Sequence, residues 1–128
     1  MTDENGNIVA MSRIFLGKVD EKPSVIVENI EINNAFLKNR NENELKELRD
    51  KMFGYIGNFA SSVSSEKDMP IYFSKNYTKV PVSDFSQTSK KVEFIGDISS
   101  ETVYLNCAPG WTNPAELNNE SCEFYLVS

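Results

Sequence analysis

The sequence predicts an α+β domain in which a mainly antiparallel sheet of about six strands packs on one central amphipathic helix. One long segment carries apolar residues at helical spacing, and the segments before and after it alternate between apolar and polar residues. The predicted element order is ββαββββ. With 128 residues, 40% of them hydrophobic, the chain has the size and composition of a single globular domain spanning residues 1–128.

Two strands are predicted before the helix, over residues 8–19 and 25–32. The first segment is rich in apolar residues, and the second is rich in β-branched residues, which favour strands. Between them, residues 20–24 read Asp-Glu-Lys-Pro-Ser, a composition typical of a turn. The pattern therefore predicts a β-hairpin.

The central helix is predicted to span about residues 43–63. Its apolar residues recur at steps of three and four, which places them on one stripe of the helix surface. They are Leu45, Leu48, Met52, Ile56, Phe59 and Val63. Asn41 or Asn43 can cap the N-terminus, and acidic side chains follow it, as the helix dipole favours.

Four further strands are predicted after the helix, where apolar and polar residues alternate. They are centred on Ile71 and Phe73, on Val92 and Phe94, on Val103, Leu105 and Cys107, and on Cys122, Phe124 and Leu126. Residues 83–89 are expected to form a polar loop and residues 96–100 a turn. In this arrangement the side chains expected to face the helix are Ile71, Phe73, Phe94, Leu105 and Phe124.

The charge of the chain argues against a nucleic-acid partner. The formal net charge is −6, the pI is about 4.7, and the thirteen cationic residues form no basic stripe. An acidic domain suits a basic protein partner, or its charge serves only to keep the domain in solution. We therefore expect a protein partner with a basic surface, while the oligomeric state stays open.

The chain contains no segment that predicts membrane insertion. No window approaches the ~20 consecutive apolar residues of a membrane-spanning helix, and the polar start of the chain is unlike a signal peptide. A cytoplasmic location is the expectation for the sequence as it stands. If a leader has been removed, the expected location becomes extracytoplasmic.

Catalytic chemistry finds little support in this sequence. The chain has no histidine, which excludes Ser-His-Asp and Cys-His catalysis and histidine-ligated zinc. Two cysteines cannot complete a Cys₄ zinc site, and no phosphate-binding glycine motif is found. A pair of carboxylates acting on a sugar remains open, although no pattern singles out a pair. We therefore expect a non-enzymatic protein with no cofactor, no metal site and no catalytic residue.

The two cysteines, Cys107 and Cys122, fall on the apolar phase of their predicted strands. If those strands pair, the sulfurs become cross-strand neighbours, and a disulfide would close a loop of about fifteen residues. The alternative is a pair of buried, reduced cysteines, which is usual in a cytosolic protein. The sequence leaves both readings open.

Two surfaces are candidates for recognition. The loop between the cysteines carries Trp111, which is either a binding contact or a lid on the core. The polar phase of the strands would form the second surface, unless it is an ordinary solvated face or is covered by the N-terminal hairpin. That second set comprises Tyr72, Glu93, Tyr104, Asn106, Glu123 and Tyr125.

These observations favour a small acidic binding module of the inhibitor or regulatory type, such as an immunity, antitoxin-like or viral anti-defence protein. Such proteins act by covering a functional surface of their partner. The alternative is an extracytoplasmic ligand-sensing or adhesion domain stapled by a Cys107–Cys122 disulfide. An enzyme that uses carboxylates or tyrosine is the third reading.

Overall fold

The computed structural model describes residues 1–66, 68–74, 79–96, 101–107 and 111–127. Within them the chain has an α+β fold with one main helix, as the sequence predicts. The elements are, in chain order, strand β1 (Ala10–Val19), strand β2 (Lys22–Ile32), helix α1 (Asn34–Leu37), helix α2 (Glu42–Val63), strand β3 (Ile71–Ser74), strand β4 (Ser86–Phe94), a 3-10 turn (Pro114–Leu117) and strand β5 (Ser121–Leu126).

The strands close into a barrel in the order β1-β2-β3-β5-β4, and β4 pairs with β1 to complete it. All neighbouring pairs are antiparallel except β2 and β3, which are parallel. A parallel pair needs a crossover, and helix α2 supplies it because it lies between these two strands in the chain. The sheet of the described residues thus has five strands, where the sequence predicts about six. Its pairing is mainly antiparallel, as predicted, with one parallel pair.

Helix α2 begins and ends within one residue of the predicted bounds. The side chain of Asn41 caps it, because Asn41 Oδ1 accepts a hydrogen bond of 2.9 Å from the backbone N–H of Glu44. Its buried side chains pack on the outer surface of the barrel. They are Leu48, Arg49, Met52, Phe53, Ile56 and Ala60.

The predicted apolar stripe of α2 is only partly buried. Phe59 and Val63 are 55% and 54% exposed, although both belong to the stripe. Phe53 and Ala60, which the stripe omits, face the barrel instead. The buried line is therefore rotated around the helix, and Phe59 and Val63 are left on its exposed flank.

The barrel encloses one core, and helix α2 covers a second. The interior core contains Val19, Ile26, Tyr72, Val92, Phe94, Val103, Leu105, Leu117, Cys122 and Phe124. Ile71 and Phe73 face the helix, as predicted. The prediction that Phe94, Leu105 and Phe124 face the helix is wrong, because a sheet that closes into a barrel gains an interior face that must also be filled.

Two local predictions also need correction. Residues 103–107 do not form a strand, and Val103 makes only one isolated bridge, with Thr112. The side chains of Val103 and Leu105 are buried in the interior core of the barrel. The expected loop over 83–89 is wrong in its second half, because β4 begins at Ser86 and pairs with β5 from there. Of the predicted turn at 96–100, only Gly96 lies among the described residues, and its φ of 102° suits a turn.

Candidate functional site

A disulfide between Cys107 and Cys122 fastens the 101–107 segment to strand β5. The Cα atoms of the two residues are 4.5 Å apart, so of the two readings the sequence allows, the structure has the bonded one. Beside it, Asn106 Nδ2 donates a hydrogen bond of 2.6 Å to Glu123 Oε2. The segment that carries Tyr104 is thereby held against the barrel.

Tyr104 and Trp111 form an exposed aromatic pair above this segment. Val103 and Thr112 exchange two backbone hydrogen bonds of 2.8 and 2.9 Å, which bring the neighbouring Tyr104 and Trp111 together. Their ring centroids are 5.8 Å apart in an edge-to-face arrangement. Trp111 is 63% exposed and Tyr104 is 41% exposed, so the indole does not act as a lid on the core.

Arg13 of strand β1 lies beside this aromatic pair and holds several partners at once. Its guanidinium is 3.3 Å from Glu28 and 3.2 Å from Glu101, and Nη2 donates a 2.8 Å hydrogen bond to the carbonyl of Thr102. The guanidinium carbon lies 6.0 Å from the centroid of the Trp111 ring. Arg13 therefore links the β1–β2 hairpin to the 101–107 segment, which carries Tyr104.

A β-bulge in strand β2 places Glu28 in this region. Arg13 pairs with Asn29, and the next residue, Ile14, pairs with Val27, so that Glu28 is the extra residue without a partner on β1. Such a bulge moves the following side chains to the opposite face of the strand. The isoleucines that follow thereby reach the helix side, where Val25, Val27, Ile30 and Ile32 all pack.

The carboxylate of Glu28 is buried without being fully satisfied. Its side chain is only 6% exposed, and Oε2, although 3.3 Å from Arg13, makes no hydrogen bond within the described residues. Burial raises the pKa of Glu28 above its ordinary value; Arg13 and the backbone N–H of Tyr104 oppose this, and the charge of Glu31 adds to it. The fold alone thus leaves this carboxylate in an unfavourable environment.

These residues border a cavity of about 250 Å³ that we call the Trp111 cleft. It is lined by Met11, Ser12, Arg13, Glu28, Asn29, Glu31 and Trp111. Glu28 and Glu31 line it together with Arg13 as the single cation, and Glu101 lies beside that cation. The cleft therefore combines an exposed aromatic surface with an excess of negative charge, which favours a cationic group from outside.

Of the seven residues of the two predicted surfaces, Trp111 lines this cleft and Tyr104 packs against Trp111, whereas the other five are not in the lining. Tyr72 is only 9% exposed and lies inside the barrel, whereas Tyr125 packs against the core beneath helix α2. Glu93 lies on β4 opposite Lys18, and Glu123 lies on β5 next to the disulfide. The predicted polar face is thus divided, because a barrel strand directs alternate residues inward and outward and closure of the barrel places Tyr72 in the interior.

A second cavity, of about 410 Å³, lies between strand β1 and helix α2, and we call it the apolar groove. Its main lining residues are Ile8, Ile14, Met52, Tyr55, Ile56 and Phe59. Tyr55 and Phe59 are both more than half exposed. Met11 and Ser12 line both this groove and the Trp111 cleft, so the two cavities adjoin at these residues of strand β1.

Of the residues grouped in this candidate site, Tyr104 and Trp111 were among the predicted binding residues, whereas Arg13, Glu28 and Met11 were not. A signal for Glu28 was present in the sequence. Val25 and Val27 share one phase of the strand, whereas Ile30 and Ile32 occupy the other, and such a change of phase indicates a bulge. No comparable signal marks Arg13, whose role depends on contacts with residues far away in the chain.

The described part of the chain contains no group of three metal-ligating side chains. It also contains no helix both long enough and apolar enough to cross a membrane. Comparisons with protein-family models, with curated proteins and with solved structures gave no match.

Proposed function

We propose that this chain is a small, acidic, non-enzymatic binding module whose protein partner docks on the Trp111 cleft. The observation that carries the proposal is the exposed Tyr104–Trp111 pair, held next to Arg13 and a buried, incompletely satisfied carboxylate. Tryptophan, tyrosine and arginine are the residues most enriched at the energetic centres of protein interfaces. Methionine is also enriched there, and Met11, which is 52% exposed, lines the cleft.

The way these side chains are held favours binding further. The disulfide and the paired backbone of Val103 and Thr112 fix the aromatic pair before any partner arrives. Less conformational freedom is then lost on association, so more of the contact energy contributes to affinity. An aromatic pair exposed on a rigid support is suited to recognition.

The charge of the cleft indicates the chemistry of the partner. Glu28 and Glu31 outnumber Arg13 in the lining, and the whole chain carries a net charge of −6. A basic partner surface would gain attraction over long range and would supply the donor that Glu28 Oε2 lacks. We therefore assign the partner a lysine- or arginine-rich contact surface.

Among binding modules, the inhibitor or regulatory class fits these features best. An immunity, antitoxin-like or viral anti-defence protein acts by covering a surface of its target, which requires neither a cofactor nor a catalytic residue. The small size, the acidity and the absence of histidine in this chain agree with that mode of action. The identity of the target is the question for experiment.

The test begins with co-purification of the tagged protein from its native host and identification of the partner by mass spectrometry. Binding of the purified partner is then measured for the wild type, Trp111→Ala and Tyr104→Ala. We expect at least one truncation to weaken binding by about 2 kcal/mol or more, as for a residue at the centre of an interface. Because Trp111 is mostly exposed, its removal should leave the melting temperature nearly unchanged.

Leu126→Ala is the matched control, since it truncates an exposed apolar side chain of β5 that does not line the cleft. Its affinity for the partner should equal that of the wild type. Wild-type affinity in both aromatic variants would refute the cleft as the docking site. Turnover of a substrate that is abolished by changing a single Glu or Asp would refute the non-enzymatic function.

The disulfide supports a second candidate, an extracytoplasmic ligand-sensing or adhesion domain. Disulfides form and persist mainly in oxidising compartments and are rare in the cytosol. Thiol titration of protein from its native host, under denaturing and non-reducing conditions, separates the two candidates. Absence of free thiols would favour the extracytoplasmic candidate. Two free thiols per chain would favour the cytoplasmic inhibitor, in which the paired backbone of Val103 and Thr112 would hold the aromatic pair without help from the disulfide.

A further inference from the structure

Strand β1 has an unpaired edge between two short paired stretches. It pairs with β2 along its whole length but with β4 only at Gly17, Lys18 and Val19. At its other end, the backbone of Ala10 bonds to Met1. Within the described residues, the middle of β1 therefore has a neighbouring strand on one side only.

The hydrogen-bond pattern shows which backbone groups point to that edge. In an antiparallel strand, alternate residues direct their N–H and C=O groups to opposite sides. Val9 accepts from Asn33 on the β2 side, whereas Leu16 accepts from Ile95 on the opposite side. Even-numbered residues of β1 consequently point away from β2.

Ser12 and Ile14 are the residues whose backbone groups remain at this edge. Their N–H and C=O groups point away from β2 and make no backbone hydrogen bond within the described residues. Such a row of donors and acceptors is a template for another strand, and native proteins usually cover or disrupt it. Here no described strand covers it, and it lies between two cavities.

The two cavities flank the edge on its two faces. Arg13 lines the Trp111 cleft on one face, whereas Ile14 lines the apolar groove on the other, and Met11 and Ser12 border both. Side chains of an extended strand alternate between two faces. A strand added at this edge would therefore place every second side chain in the acidic cleft and the others in the apolar groove.

We infer that the protein binds an extended segment of its partner by strand addition along residues 11–15 of β1. The segment alternates basic and apolar side chains: the basic ones face Glu28 and Glu31, and the apolar ones contact Tyr55 and Phe59. Backbone hydrogen bonds to Ser12 and Ile14 supply affinity, and the two cavities supply specificity. The inference deepens the proposed function and depends on it.

Charge argues for such a segment rather than for a second copy of this chain. A second copy docked edge to edge would bring its own Glu28 and Glu31 towards the same acidic surface. Its net charge of −6 would add to the repulsion. A basic and apolar segment meets complementary chemistry on both faces of the edge.

The first probe is a fluorescein-labelled peptide of about seven residues, the length of an ordinary strand, that alternates lysine and valine. A peptide that alternates glutamate and valine is its control. Fluorescence anisotropy at low salt should show binding of the lysine peptide and at least about tenfold weaker binding of the glutamate peptide. Equal binding of both peptides, or of neither, would contradict the inference.

The variant Ser12→Pro tests the backbone contact directly. Proline removes the N–H that points to the open edge and leaves the hydrogen bonds between β1 and β2 intact. It also removes the 2.6 Å hydrogen bond from Ser12 Oγ to the carbonyl of Asn29, and Ser12→Ala removes that bond alone. We expect Ser12→Pro to weaken binding of the lysine peptide about tenfold or more, and Ser12→Ala to stay within about twofold of the wild type.

Hydrogen exchange provides a measurement that needs no substitution. The amide hydrogens of Ser12 and Ile14 should exchange rapidly in the free protein and become protected when the lysine peptide binds. Unchanged exchange at saturating peptide would overturn strand addition even if Ser12→Pro fails to fold. A concentration-dependent dimer that Ser12→Pro dissociates, with no peptide binding, would assign the edge to self-association and would also overturn the inference.

The same variants separate this inference from the proposed function. If Trp111→Ala weakens binding of the native partner while Ser12→Pro does not, the cleft is the docking site and strand addition is wrong. If Trp111→Ala, Tyr104→Ala and Ser12→Pro all bind the partner as the wild type does, docking on the Trp111 cleft is itself refuted. If Trp111→Ala and Ser12→Pro both weaken binding of the partner and Ser12→Ala does not, both the cleft and strand addition are supported.

Discussion

Two arginines in this molecule have similar contact partners but differ in how far they are buried. Arg49 of helix α2 and Arg13 of strand β1 each pair with two carboxylates and each lie over a phenylalanine ring. The side chain of Arg49 is 2% exposed, whereas that of Arg13 is 45% exposed. The comparison separates a region that completes the fold from one that remains open to a partner.

The Arg49 region is fully satisfied by its own neighbours. Its guanidinium donates to the carbonyl of Pro81 at 2.6 Å, to both oxygens of Asp84 and to Asp50, and it stacks 4.2 Å above the ring of Phe85. Hydrogen bonds from Arg49 hold the pKa of Asp84 well below its ordinary value. These contacts fasten helix α2 to the segment that leads into β4.

In the Arg13 region, the pKa of the paired carboxylate, Glu28, is raised, whereas that of Asp84 beside Arg49 is lowered. Burial raises the pKa of Glu28 despite the charge of Arg13, and Glu28 Oε2 lacks a hydrogen-bond donor within the described residues. A buried carboxylate that the fold does not stabilise is more typical of a functional site than of a structural ion pair. For this reason the Arg13 region is the candidate site and the Arg49 region is not.

The largest expected effect is on stability, from Arg49→Met. Removal of one partner from a buried ion pair costs about 3 to 5 kcal/mol. The lower end of that range applies here, because Asp84 and Asp50 are partly exposed and can be solvated once the arginine is gone. Denaturant titration at neutral pH measures the loss.

The control for this variant is Arg40→Met, which breaks the exposed pair between Arg40 and Glu44 and should cost less than about 1 kcal/mol. A second check is the response to acid. The depressed pKa of Asp84 means that its pairing stabilises the fold above pH 3.8 and that this contribution is lost as the pH falls below that value. Arg49→Met should remove that part of the acid dependence, and an unchanged acid response would contradict the pairing.

The next effect concerns the disulfide, through the double variant Cys107→Ser and Cys122→Ser. A cross-link that spans 15 residues stabilises by about 3 kcal/mol in the chain-entropy model. Release of the segment also frees Tyr104, so partner affinity should fall together with stability. Retention of full affinity in the folded double variant would show that the aromatic pair does not depend on this cross-link.

Much of the fold follows from local patterns in the sequence. Helix α2 is readable because its apolar spacing and the Asn41 cap agree with each other. The strands around Phe73 and Phe124 are readable because apolar and polar residues alternate there. Closure of the barrel is not readable, since it depends on pairings between distant strands, and the mixed polar sequence after Ser86 gives no sign that β4 completes it.

The candidate site was only half predictable, for a related reason. Trp111 and Tyr104 stand out by residue type, because large aromatic side chains in polar segments are typical of binding surfaces. Arg13 becomes significant only through contacts with Glu101 and Thr102, which are far away in the chain. Tyr72 was predicted to belong to the same surface, but barrel closure turns it inward.

The smallest effect, and the sharpest test of the comparison, comes from Glu28→Gln. The pKa of Glu28 is raised above 4.5, so the folded state binds a proton more tightly than the unfolded chain does. Its ionisation therefore removes stability as the pH rises from about 4.5 through the folded pKa. Glutamine resembles the protonated side chain and does not ionise, so the variant does not lose this stability.

Over the pH range 4–8, the free energy of unfolding of Glu28→Gln should thus rise relative to that of the wild type as the pH rises. Asp84→Asn should instead be less stable than the wild type by a nearly constant amount over this range, because the stabilisation from the ionised Asp84 is already present above about pH 3.8 and changes only below it. If Glu28→Gln is as stable as the wild type but binds the basic partner more weakly, the carboxylate serves binding at the expense of stability. Loss of stability in Glu28→Gln at neutral pH would instead make Arg13 and Glu28 a structural pair like Arg49 and Asp84, and the contrast between the two regions would fail.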